Sequence, residues 1–106
     1  MNQGEPLASF AFAATLIEWR GPAPFLFAPI PEEHTGEIRW AAREASYGWG
    51  VVPVSALIGE TRFTTSLIPR EGRFLLPVKV AVQRAEQLGV GCAVSAAIVV
   101  AAPGPS

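Results

Sequence analysis

The sequence predicts a mainly β fold of the α+β kind: a small, closed or split β-barrel of about six strands carrying two short helices. Three observations carry that expectation. The run Thr61–Gly91 reads without a gap as strand, turn, strand, helix and glycine stop. The stretch before it, Val51–Ile58, supplies the other half of a hairpin, and Cys92–Ala101 supplies one more strand. At 106 residues the chain makes one domain. It is placed over residues 8–101, with a short tail at 1–7 and a frayed Pro/Gly-rich tail at 102–106.

Residues 8–19 alternate with period two. Phe10, Phe12, Ala14 and Leu16 share one face, and Ala11, Ala13, Thr15, Ile17 and Trp19 share the other. Both faces are apolar, as in a strand covered on both sides or bent around a barrel. Gly21-Pro22 marks a turn. Residues 24–30 give a second short strand, which Pro29 confines to an edge or brings to its end.

Pro31 opens a helix with Glu32 and Glu33 in its first turn, where the positive end of the helix dipole favours them. Ile38, Ala41, Ala42 and Ala45 form its buried stripe. A glycine-flanked aromatic loop, Ser46–Gly50, leads into Val51–Ile58. Gly59-Glu60 has the chemistry of a type II′ hairpin turn. Such a turn sets Ile58 opposite Thr61, Ala56 opposite Phe63, Val54 opposite Thr65 and Val52 opposite Leu67. That face is mainly apolar, while Ser55, Arg62, Thr64 and Ser66 share the other with Leu57.

Pro69–Gly72 is a second turn and Arg73–Leu76 a short returning strand. Pro77 starts the second helix, with Val78, Ala81, Val82, Ala85 and Leu88 as its stripe and Gly89 as its left-handed stop.

Half the residues are hydrophobic and only 16% are charged, against about 25% in ordinary soluble domains. A chain so patterned has a largely apolar surface or buries a face against a partner. The runs are too short for a membrane span of about 20 apolar residues. The N-terminal stretch has no positive region ahead of its apolar part and reads as a strand, not a signal peptide. A lone cysteine, Cys92, excludes an internal disulfide framework and fits a reducing cytoplasm. The net charge of −1 argues against a nucleic-acid binder, whose affinity comes largely from basic side chains on phosphates. Arginine outnumbers lysine seven to one and Asp is absent, which fits the codon usage of a GC-rich genome.

No catalytic or metal constellation stands out, and no cofactor is expected. His34 is the single histidine, and with one Cys and no Asp a metal site would need Glu for its further ligands, with Glu33 and Glu37 adjacent on the helix. An exposed histidine is the plainer account. Ser66 or Ser55 with His34 lacks the G-x-S-x-G elbow of a serine nucleophile. Lys79 in the first turn of the second helix either meets an anion there or pairs with Glu71. Tyr47 and Trp49 either offer rings for contact or plug a barrel mouth. The glycines match neither G-x-G-x-x-G nor a P-loop.

Several of these segments together resemble an uncharacterised bacterial family, the domain of unknown function numbered nineteen-oh-five. The resemblance rests on Phe12–Leu16, Trp19 and Gly21, then Phe27 and Pro31. It continues through Gly48, Gly50, Val52, Val54, Ile58-Gly59, Thr65–Pro69 and Leu76–Lys79, and closes on Arg84, Gly91 and Val94. It departs where that family has Asp and this chain has Cys92. The resemblance implies a barrel of about six strands with two helices, alone or beside a bacteriocin-protection-like domain, and no known activity.

The leading expectation is therefore a bacterial, cytoplasmic, non-enzymatic β-barrel module that self-associates or binds a protein partner. A second is a small-anion binder or enzyme with Arg62, Thr64, Ser66, Lys79, Arg84, Tyr47 and Trp49 around one pocket. A third is a small-barrel nucleic-acid binder with Arg62, Arg70, Arg73 and Arg84 along one groove.

Overall fold

A computed structural model describes residues 6–19, 25–45 and 52–101. The expected turn at Gly21-Pro22, the aromatic loop with Tyr47 and Trp49, Val51 and the tail 102–106 lie outside the described residues. Among the described residues seven strands run in chain order as β1 (Pro6–Thr15), β2 (Ile17–Trp19), β3 (Phe25–Pro29), β4 (Val52–Ile58), β5 (Thr61–Arg70), β6 (Arg73–Val78) and β7 (Ala93–Ala101). Two helices join them, α1 (Thr35–Ala45), entered through a single 3-10 turn at Glu32–His34, and α2 (Val80–Glu86).

All pairings are antiparallel, in the order β1-β7-β4-β5-β6-β3-β2. The sheet curls, so that Phe12 of β1 and Leu26 and Ala28 of β3 share one core with residues of β4–β7, α1 and α2. The strand count exceeds the expected six because the single strand expected over 8–19 breaks at Leu16. Its first part pairs with β7 and its second with β3. Leu16 is 1% exposed and bonds at both backbone groups to the segment before β7: its N–H donates to Cys92 O at 2.8 Å, and Gly91 N–H donates to its carbonyl at 2.9 Å. The strand begins at Pro6, with Leu7 as a bulge opposite β7.

Of the two faces read for 8–19, only one is covered. Ala8, Phe12 and Leu16 are buried, whereas Ala11, Ala13 and Thr15 are exposed. The hairpin β4–β5 has the register set by its turn, from Ile58↔Thr61 to Val52↔Leu67. Gly59 has φ +60° and Glu60 does not take a positive φ, as type II′ geometry requires. Val52, Val54, Ala56, Ile58 and Leu67 point into the core, while Ser55, Arg62 and Thr64 point outward. The second turn is tighter than expected. Pro69 and Arg70 stay in β5, and Glu71-Gly72, both with positive φ (+53° and +81°), turn the chain as a type I′ pair.

Helix α1 follows its sequence pattern, with Ile38, Ala41 and Ala45 buried and Ala42 half-buried. Helix α2 is shorter than expected at both ends. Pro77 and Val78 continue β6, paired with Phe27 and Leu26, so the helix starts at Val80. Of the expected stripe inside the helix only Val82 is buried, and Ala81 and Ala85 are exposed. The left-handed stop is Gln87 (φ +57°, ψ +52°), not Gly89. Leu88 N–H then returns to Gln83 O at 2.9 Å, a Schellman-type ending that presses Leu88 against the core. Gly89–Cys92 forms a further turn, closed by Cys92 N–H on Gly89 O at 3.1 Å with Gly91 at φ +88°.

Each helix fastens to one end of β5. The Glu86 carboxylate of α2 accepts the Thr61 hydroxyl at 2.6 Å and the Glu60 N–H at 3.2 Å. At the far end, Arg39 of α1 donates to Gly72 O at 3.4 Å.

Candidate functional site

The outer surface of β1, β7, β4 and β5 is unusual in composition. Strands β1, β7 and β4 hold no charged residue at all. The register lines their outward residues into rows across the sheet. One row runs Ser9, Val99, Ser55, Thr64, and the next runs Ala11, Ala97, Leu57, Arg62. Ser9, Ala11, Ser55 and Thr64 are exposed, and Leu57, Ala97 and Val99 half-exposed. Small side chains in these rows leave a shallow groove of about 550 Å³, bordered by Ser55, Leu57, Arg62, Thr64, Ala97 and Val99. Among the described residues Arg62 is the one charge on it, and no carboxylate forms an ion pair with it.

The candidate ligand residues only partly assemble here. Arg62 and Thr64 line the groove; Ser66, half-buried on the same strand, does not. Lys79 is the residue before α2, not in its first turn. It is exposed, in an extended conformation, and its carbonyl accepts Val82 N–H and Gln83 N–H. Arg84 is exposed on α2 and lines no described groove. Tyr47 and Trp49 lie outside the described residues. The four arginines of the nucleic-acid reading separate as well: Arg70 and Arg73 border a second groove, Arg62 the first, and Arg84 neither.

His34 is not exposed, contrary to the sequence reading. Its side chain keeps 14% of its surface and stacks on Phe10, with ring centroids 4.2 Å apart and 12° between planes. Nδ1–H donates to Glu37 Oε1 at 2.8 Å. Nε2 is buried without a hydrogen bond, and Glu33 Oε2 stands 3.4 Å away. Among the described residues no three His, Cys or Glu side chains gather as a metal ion needs, so the cluster reads as packing of the α1 entry onto β1.

The other half of the sheet carries an aromatic outer surface. Phe27 and Leu75 are buried there, outside the main core. Trp19 and Phe25 both pack on Phe27, with ring centroids 5.6 Å and 6.3 Å from it, and Ile17, Trp19 and Phe25 remain exposed. The Arg70 guanidinium lies over the Trp19 ring, 3.9 Å from its centroid. Alternation in 17–19 and 25–29 places these rings on one face, but their meeting with Arg70 depends on β3 pairing with β6, which no local signal announces.

No helix among the described residues is long and apolar enough to cross a membrane. The model of one protein family, described as a domain of unknown function (DUF1905), matches residues 12–98. No curated protein matches the chain.

Proposed function

The chain belongs to that family, and from this premise we propose that it is a non-enzymatic module that docks, onto a second copy of itself or onto another protein, through the outer face of β1, β7, β4 and β5. One observation carries the reading: two cross-sheet rows, of four residues each, hold between them a single charge, Arg62 of β5, and the strands β1, β7 and β4 hold none. An exposed sheet face with a single charge loses little on desolvation, and small side chains let a second layer approach at the roughly 10 Å spacing of packed sheets. The reading takes the curled sheet as a barrel closed at Leu16, where its two edge strands meet in the chain, which keeps the face stiff. A bacterial, cytoplasmic setting belongs to the same proposal, supported by the unpaired Cys92.

A second reading places a small anion in the groove, where the Arg62 guanidinium and Thr64 hydroxyl border one hollow. It draws no support from Lys79 or Arg84, which border other surfaces.

Size-exclusion chromatography with light scattering across a concentration series tests the docking reading. The mass rises with concentration in the unmodified protein, and Ala97→Glu or Ala11→Lys abolishes the rise without lowering Tm. A monomer at every concentration that also binds no protein in an Ala97-dependent manner sinks it.

A further inference from the structure

The Glu71–Gly72 turn gathers three arginines from three elements. Arg70 and Arg73 face each other across the hairpin as the last pair before the turn, and Arg39 reaches from α1 to the turn carbonyl of Gly72 at 3.4 Å. Like charges directly opposite one another on antiparallel strands repel. Among the described residues no carboxylate stands within ion-pair distance of any of the three. The contacts they do make are few and long: Arg73 donates one N–H to Ile30 O at 3.4 Å, leaving most of its five donors for something else.

Two features beside this cluster bear on what that something is. A groove of about 200 Å³ is lined by Arg70 and Arg73 together with the apolar Ile17, Pro29, Phe74 and Leu75. Its size suits one ring with its substituent and falls below the ~300–1,000 Å³ of sites for larger ligands. Arg70 is also held in place, its guanidinium stacked on Trp19 at 3.9 Å. A planar fork fixed in this way loses little freedom when it meets a planar or tetrahedral oxyanion. Glu71 also borders the groove, and its carboxylate opposes an incoming anion.

We infer that this turn and groove bind a small anion bearing one flat apolar ring, through a carboxylate or a phosphate monoester held by Arg70 and Arg73. The site lies away from the β1–β7–β4–β5 face and does not depend on docking there. The oxyanion meets the two guanidinium forks, Arg39 adds long-range attraction from α1, and the ring lies against Ile17 and Pro29.

Amide and indole N–H shifts in titrations with phenyl phosphate, benzoate, inorganic phosphate and benzyl alcohol test this. Phenyl phosphate or benzoate gives saturable shifts at residues 70–73 and at the Trp19 indole, and whichever binds tighter identifies the anionic group. Arg70→Gln or Arg73→Gln weakens binding about tenfold or more, the cost of one charged hydrogen bond. Glu71→Gln, a variant that gains function and so cannot act by misfolding, tightens it. Arg62→Gln leaves it unchanged. Absence of saturable shifts overturns the inference. So does equal binding of benzyl alcohol, which removes the anion requirement, or of inorganic phosphate, which removes the ring. Tighter binding of an oligothymidylate than of phenyl phosphate would instead assign the face to single-stranded nucleic acid.

Discussion

Glu86 holds Thr61: one carboxylate oxygen of α2 accepts both the Thr61 hydroxyl, at 2.6 Å, and the N–H of Glu60. The hairpin turn that fixes the register of β4 and β5 is thereby clamped by a residue 25 positions downstream. Removing the clamp leaves the turn's own chemistry intact. Glu86→Ala should therefore lower stability by about 1–2 kcal/mol, the worth of charge-assisted hydrogen bonds at a half-exposed site. Urea denaturation reads it directly, and an unchanged midpoint would show that the clamp contributes nothing.

Gly59 is confined twice, by φ +60° and by the Glu86 carboxylate, which a Cβ there would strike. Gly59→Ala should destabilise more than the ~1–2 kcal/mol typical of a left-handed non-glycine residue. In a Glu86→Ala background the collision vanishes and only the backbone part remains. A double-mutant cycle measures the difference, and strictly additive losses would contradict the geometry.

Leu16 sits at the junction of β1 and β2 with both backbone groups bonded and its side chain in the core. Leu16→Ala should cost about 2–5 kcal/mol, as deletion of a buried leucine does. Hydrogen exchange gives a sharper signature: the Leu16 and Gly91 amides should lose protection before those of β4 and β5.

Cys92 half-satisfies the turn before β7, where Gly89 N–H donates to its sulfur at 3.4 Å. A carboxylate oxygen in the same place is a stronger acceptor, the residue type implied for this position by the resemblance to the wider family. Cys92→Asp should be neutral or stabilising by up to about 1 kcal/mol. A loss of that size in thermal unfolding would mean that the thiol is needed for packing.

The parts legible in the sequence are those governed by neighbours. The β4–β5 register follows from a two-residue turn and period-two alternation, and the α1 stripe follows from Ile38, Ala41 and Ala45. What escaped depends on remote strands. Pro77 has the look of a helix opener, yet pairing of Leu26 with Val78 keeps it in β6. The break at Leu16 is invisible locally, because both flanking stretches alternate alike and only their different partners separate them. His34 looks solvent-facing from its polar neighbours, but Phe10, 24 residues earlier, lies flat against it. For the candidate site, alternation already put Arg62 and Thr64 on one side. Lys79 and Arg84, at the start of α2 and within it, line neither described groove.

The pairing of β1 with β7 sets an order of events during synthesis. Phe12 lies opposite Ala96, so the first strand has no partner on that flank until nearly the whole domain has left the ribosome. Folding governed by such distant contacts is slow, and an apolar ribbon waiting that long is exposed to misassociation. A nascent-chain protease assay should find β1 cleavable until β7 emerges, and a chaperone holding that ribbon would raise the yield.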